Sequence, residues 1–387
     1  MKKLNNLTHI YTVFAFISFL FLSSCGTEED YGNQVLTISQ SSQTVPVGSS
    51  ISFSATNNLD GDVSGEAVFF VNGEPIEGNT FTPTEVNAAN EVYATYNGLT
   101  SNTLTFASTE VTPSAYTQKV LVEDYTGTWC IYCPGMALIM DYFTAYSDKV
   151  IPVAIHCGGG SGMNDPWVYE YYETMVNANN YNATGQPKGK INRIYDVNQF
   201  QFPIRCPNSN QAQYTAQLDS YLNQNAELGL AINSSLSGSS LNIQVKVGFA
   251  TDNVPEARLV VYLIEEGLRH DQLNAYWNST FPDCIFNQPP YNQNPIPAEH
   301  FEQKHVLLKS YTDVFGDIIP QNQIANGSVY TKDFNVSLPT NVGYPSGTVN
   351  PENLKIVAFV LGNGGEISNR PVLNVQQAKV NTNQDFD

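Results

Sequence analysis

The chain is poor in positive charge. Its 387 residues hold 17 Lys and Arg against 36 Asp and Glu, for a formal net charge of −19. No Lys/Arg cluster interrupts that balance, which argues against nucleic acid and anionic membrane surfaces as partners. Charged residues of both signs make up only 14% of the chain. Asn, Gln, Ser and Thr carry the polar load, with 22 Tyr and 20 Phe, which suits a β-rich protein outside the cytoplasm. Beyond the N-terminus no run of 18 apolar residues occurs, so nothing reads as a spanning helix. The glycine cluster at 158–162 lacks the lysine and helix setting of a phosphate loop. His270, His300 and His305 lack metal-ligand spacing.

What is present begins with an address. Lys2 and Lys3 precede a short apolar run over 10–22, closed by Leu22, Ser23, Ser24 and Cys25. That run is too short to span a bilayer and fits a secretory signal. Its end resembles a bacterial lipobox, which implies cleavage before Cys25 and lipidation there. Residues 1–24 are then a lipoprotein signal peptide and 25–34 an acidic tether. Setting Cys25 aside leaves Cys130, Cys133, Cys157, Cys206 and Cys284, an odd number for an oxidising compartment.

Strand-type alternation over 35–108, with Asn72-Gly73 as a hairpin signal, predicts a small immunoglobulin-like β-sandwich. Over 117–226 strands alternate with helices, which predicts an α/β domain. Strands are expected over 119–125, 150–155 and 190–195. Helices are expected over 133–146, 167–176 and 213–222, the first with Met136, Ile139, Met140 and Phe143 on one stripe. From 227 to 387 seven strand-like runs predict a second sandwich. A long loop over 267–303, rich in Pro, Asn and aromatics, interrupts it; loops of that size are commonly functional or disordered. The expected fold class is thus α+β multidomain: Ig-like β-sandwich, central α/β domain, C-terminal β-sandwich.

The chemistry concentrates in Trp129-Cys130-Ile131-Tyr132-Cys133-Pro134. A strand ends there and a helix begins. Free backbone N–H groups and the helix dipole stabilise a thiolate at such a position. Cys133 lies one turn on, close enough to close a small disulfide. The pair reads as a redox couple, part of a metal site, or a local staple.

Trp-Cys-x-x-Cys after a strand resembles the thioredoxin-like superfamily. The resemblance covers 117–226. It implies that Asp124 is a buried acid taking the resolving thiol's proton. It also implies that Gly185-Gln186-Pro187 holds a cis proline opposite the disulfide. On that basis Cys130 attacks a substrate disulfide, Cys133 resolves it, Pro187 and Gln186 position substrate, and Trp129 shields the site. No cofactor is expected beyond the redox-active disulfide. The gap from Cys133 to Pro187 exceeds the usual one and implies an inserted helical cap near 158–181. The wider arrangement resembles the outer-membrane-protein-28-related lipoproteins. Its marks are the lipobox, Glu123-Asp124-Tyr125-Thr126-Gly127-Thr128-Trp129-Cys130, the Gly185-Gln186-Pro187 stretch leading to Ile191-Asn192-Arg193, and the terminal Asn374 to Ala378. This implies a lipid-anchored outer-membrane protein exposed at the cell surface and little about its activity; the thioredoxin-like resemblance is what implies action on thiols and disulfides of envelope or secreted proteins.

Two rivals stay open. The first is a non-catalytic surface-binding or adhesion lipoprotein with a structural Cys130–Cys133 pair. The second is copper or zinc binding by Cys130, Cys133, His156 and Cys157, since the strand ending at Cys157 is expected at the same sheet edge. Cys206 and Cys284, both in proline-rich loops, are expected to pair as a structural disulfide. Asp165, Glu170 and Glu173 read as a solvated acidic rim.

Overall fold

The computed structural model describes residues 34–48, 50–110, 115–159, 164–197, 211–252, 254–278, 284–340 and 349–387. The chain divides into two compact units, Met1–Thr112 and Pro113–Asp387. The signal segment, Cys25 and Cys206 lie outside the described residues.

The first unit follows its alternation. Leu36–Gln40 and Ile51–Asn57 bury every second residue and pair antiparallel in one sheet. Leu104–Thr109, Asn87–Tyr96 and Val68–Val71 build the other. Phe53 of the first sheet meets Phe69 and Phe106 of the second at ring-centroid distances of 5.9 and 5.8 Å. Asn72 and Gly73 both hold positive φ, as a two-residue type I′ hairpin requires.

The second unit is built on a nine-stranded sheet. In order across it run Tyr195–Val197, Lys188–Ile191, Val120–Thr126, Val150–His156, Val306–Ser310, Arg258–Glu265, Leu354–Leu361 and Val372–Lys379; Asp317–Ile318 pairs beside Arg258–Glu265. Val120–Thr126 and Val150–His156 are parallel, joined through helix α1 (Cys133–Tyr146). Both strands are buried at every residue, as strands covered on both faces must be. On one face the expected stripe of Met136, Ile139, Met140 and Phe143 packs on Val120, Val122, Val150 and Ile191. Gly189 permits this approach: a Cβ there would stand 2.9 Å from Met136 Cε and 2.8 Å from Val197 Cβ. A four-stranded sheet of Val329–Ser337, Ser240–Phe249, Leu228–Ser237 and Asn383–Gln384 shares a core with the other part of the large sheet, through Ile232, Ile243, Val245, Val261 and Ile356.

Beneath the other face of Val120–Thr126 lies a wholly buried ion pair. Arg193 donates through Nη2 to Glu123 Oε1 at 2.9 Å and through Nε to both carboxylate oxygens at 3.1 Å. Its guanidinium also donates to the hydroxyls of Tyr181 and Tyr262, each at 2.6 Å. The Ile191-Asn192-Arg193 stretch is therefore a packing device, with Asn192 Oδ1 accepting from the Leu121 N–H at 3.0 Å.

The expected α+β arrangement with a central thioredoxin-like domain is corrected. The described residues are mainly β, with three α-helices: α1, α2 (Tyr172–Val176) and α3 (Gln211–Leu222). Residues 117–226 do not close a sheet of their own. The free edge of Val150–His156 is taken by Val306–Ser310, with Ala154 opposite Val306, so its core continues into C-terminal strands. The C-terminal residues are, for the same reason, not a self-contained sandwich. The inserted cap reduces to α2 and turns; residues 160–163 lie outside the described residues. The first unit consists of two sheets sharing one core. Among the described residues no helix is long and apolar enough to cross a membrane.

Candidate functional site

Cys130 and Cys133 form a disulfide at the start of α1, with Cα atoms 5.3 Å apart. Val120–Thr126 delivers the chain to this point, and a turn led by the Cys130 N–H donating to the Gly127 carbonyl at 3.0 Å lifts it into the helix. Pro134 occupies the first helical turn, where an N–H would lack an intrahelical partner. Both cysteines are buried, at 3% and 2% exposure.

The long loop is tied along this turn. Gln272 Nε2 donates to the Cys130 carbonyl at 3.0 Å and to the Gly127 carbonyl at 3.3 Å. The Leu273 N–H donates to the Thr128 carbonyl at 2.9 Å, and the Ala275 N–H to the Ile131 carbonyl at 2.8 Å. Residues 272–275 therefore lie along 127–131 as a strap. Tyr276 follows, and its hydroxyl takes the place a side chain would need at Gly135, 2.4 Å from an added Cβ. Sequence reasoning marked the loop but not these residues, because their partners lie far away in the chain.

Asp124 lies on the strand that leads to the pair. It is 3% exposed, its Oδ1 has no hydrogen-bond partner, and burial raises its pKa well above the usual carboxylate value. Asp124 and Cys133 both line a cavity of about 420 Å³ between α1 and the long loop. Trp129 donates from Nε1 to the Cys157 carbonyl at 2.9 Å. Its ring lies against Gly127, where a Cβ would stand 2.5 Å from Nε1. Pro187 is buried and its peptide bond to Gln186 is cis. Lys188, next in the chain, pairs with Tyr125, so the Pro187 turn lies beside the end of the strand that leads to Cys130.

Cys157 is a free, fully buried thiol. Burial, then the nearby Asp124 charge, pushes its pKa far above the ordinary range, partly offset by the Gln186 side chain. His156 turns to Asp165 instead, Nδ1 to Oδ2 at 2.8 Å. Asp165 is not part of a solvated rim: it is buried and also accepts from the Thr128 N–H at 2.7 Å. Burial opposes ionisation of Asp165, yet the neighbouring His156 and the N–H donors win and hold its pKa low. The ligand set Cys130, Cys133, His156 and Cys157 is thus not assembled. Among the described residues no three His, Cys, Asp or Glu side chains stand together as metal ligands. Cys284 is buried and disulfide-bonded; Cys206, the partner expected for it, is outside the described residues.

The family model for outer membrane protein Omp28 matches residues 174–384. This chain belongs to the Omp28 family. It is accordingly an outer-membrane protein. The Omp28 match begins beyond the cysteine pair and takes in the strap and most of the cavity wall. Among solved structures, HBP35 of Porphyromonas gingivalis is similar, with a TM-score of 0.50 and 15% identity over 69% of this chain and 76% of that one. At that identity the likeness concerns the fold alone. A comparison with curated proteins gave no match.

Proposed function

We propose that this Omp28-family protein is lipid-anchored through Cys25 and exchanges thiols and disulfides of envelope or secreted proteins through Cys130 and Cys133. The observation that carries this is that Cys133 and Asp124, whose buried Oδ1 is unpartnered, line one cavity. Burial brings the carboxyl's pKa closer to that of a thiol, so proton transfer between them is better matched than with an ordinary carboxylate. In the reduced protein the Cys130 thiolate attacks a substrate disulfide. A Cys130–substrate disulfide forms and one substrate thiolate leaves. Asp124 in its ionised form takes the Cys133 proton, and the Cys133 thiolate attacks the Cys130 sulfur, releasing the second substrate group as a thiolate. The substrate is reduced, the pair oxidised, and a dithiol donor of the envelope restores it. Trp129, Gln186 and Pro187 border the place where substrate backbone would lie.

The test is covalent trapping. The whole chain carrying Cys133→Ser, once reduced, should hold substrate as a mixed disulfide, whereas Cys130→Ser should not. Equal trapping by both, or by neither, argues against these roles.

The strap supports a second reading, in which the pair is a structural staple in a surface-binding protein. Gln272 to Ala275 are hydrogen-bonded along the turn that carries Cys130, and both cysteines are buried. Exchange then requires the strap to open. A Cys130→Ala/Cys133→Ala protein that keeps full binding to cell-surface glycans or peptides would favour this reading.

A further inference from the structure

The cavity between α1 and the long loop is a built site. Its apolar walls come from Leu138 of α1 and from Phe286, Tyr291 and Phe301 of the loop. Phe286 packs edge-on to Tyr291 with centroids 5.9 Å apart. At about 420 Å³ it falls within the usual range of small-molecule sites, about 300–1,000 Å³.

Two features shape the loop wall. Asn274 is fully buried and its Nδ2 donates to the carbonyls of Phe286, Tyr291 and Gln293 at 3.1, 3.0 and 3.3 Å. Gln303 Nε2 donates to Gln272 Oε1 at 2.9 Å, while the Gln272 amide holds the Cys130 carbonyl. The bonds within the loop fix its own shape, and the Gln272 amide ties it to the turn at Cys130. Rigid walls around a void are what a preformed ligand site needs.

The charges at the site restrict the ligand. At the rim Arg269 is paired with Glu302 at 3.1 Å and Lys304 with Asp141 at 2.7 Å. His305 is engaged by Glu266 at 2.7 Å. Glu299 and His300 also line the cavity, but an ionic ligand would lose hydration on passing to the apolar inner walls. At the inner end the unsatisfied group is Asp124 Oδ1. Burial raises the pKa of that carboxyl, and in its protonated form it both donates and accepts.

We infer that this cavity binds a small uncharged molecule with a flat apolar body and one terminal group that both donates and accepts hydrogen bonds, such as a primary amide. The body lies between Leu138 and the Phe286 and Phe301 rings, and the terminal group meets Asp124. This site does not depend on the exchange chemistry proposed above; it holds equally if the disulfide is structural.

The probes are benzamide, benzoate, benzylamine and toluene, titrated into the oxidised whole chain with ligand-observed NMR. Benzamide should bind at least tenfold more tightly than benzoate and benzylamine. Leu138→Trp fills the cavity from α1 and should weaken benzamide at least tenfold. Leu138 is only half-buried, and Ala137→Phe provides a second obstruction from the same helix. Asp124→Leu should weaken benzamide at least fivefold and leave toluene undiminished. Equal binding of the charged and neutral probes overturns the inference, as does unchanged benzamide binding in both obstructed variants. Absence of any benzamide binding overturns it too.

Discussion

Gln272 and Cys130 are joined by a hydrogen bond of 3.0 Å from the buried side-chain amide to the backbone carbonyl beside the disulfide. The same amide reaches Gly127, so one side chain fastens the strap to both sides of the turn. Gln272→Ala should therefore loosen the strap without touching either cysteine. Losing such hydrogen bonds costs about 1–2 kcal/mol of local closure, or roughly tenfold in the open population. Reduction of Cys130–Cys133 by dithiothreitol, followed by alkylation and mass mapping, should accelerate by about that factor. An unchanged rate would mean that the strap does not limit access.

Asp124 gives a pH prediction. Its folded-state pKa is raised by burial, so the unfolded carboxyl ionises first as pH rises. Above the ordinary carboxylate pKa the native state then loses stability, by about 1.4 kcal/mol per pH unit until the folded-state carboxyl also titrates. Asp124→Asn removes this penalty. Its denaturation midpoint should match the wild type near pH 3 and exceed it increasingly at higher pH. A constant difference across pH would contradict the raised carboxyl pKa.

Glu266 behaves in the opposite sense. Burial disfavours its charge, but His305 and Lys355, the latter at 2.7 Å, bring its pKa down to about 2. Its contribution is present above the ordinary carboxylate pKa and is lost as pH falls through about 2. Glu266→Gln should cost on the order of 2 kcal/mol at pH 7, with the difference vanishing near pH 2. Urea denaturation at the two pH values checks this.

Arg193 and Glu123 are both fully buried. Arg193→Met strands the carboxylate and should cost about 3–5 kcal/mol. Pairing it with Glu123→Leu should recover much of that loss, because no uncompensated charge remains. Chemical denaturation of the two single variants and the double variant gives the coupling. Additive losses would show that the pair is not the unit of stability.

Local pattern carried part of this structure. The strand into Cys130, the helix stripe from Met136 to Phe143 and the Asn72-Gly73 hairpin each follow from spacing within a dozen residues. So did the notice of the long loop. What local pattern cannot contain is the neighbour across a sheet edge. Residues 117–226 alternate strand and helix, yet Val306–Ser310 seals their sheet, and the separate α/β domain disappears. The strap was hidden for the same reason, since Leu273 and Thr128 meet only through the tertiary fold. Arg193 was visible as a motif residue, but arginine is ordinarily a surface residue. Its burial needs Glu123, Tyr181 and Tyr262 around it, and no sequence window holds all four. Asp165 looked solvated because a buried acid and an exposed one are identical in sequence until His156 is placed beside it.

The most direct test of thiol–disulfide exchange is a redox titration of residues 26–387, with every cysteine mapped by alkylation and mass spectrometry. An exchanging Cys130–Cys133 pair should switch between about −120 and −270 mV, the range of exchange-active disulfides. A pair that stays oxidised below about −300 mV is a structural staple and contradicts the proposed exchange.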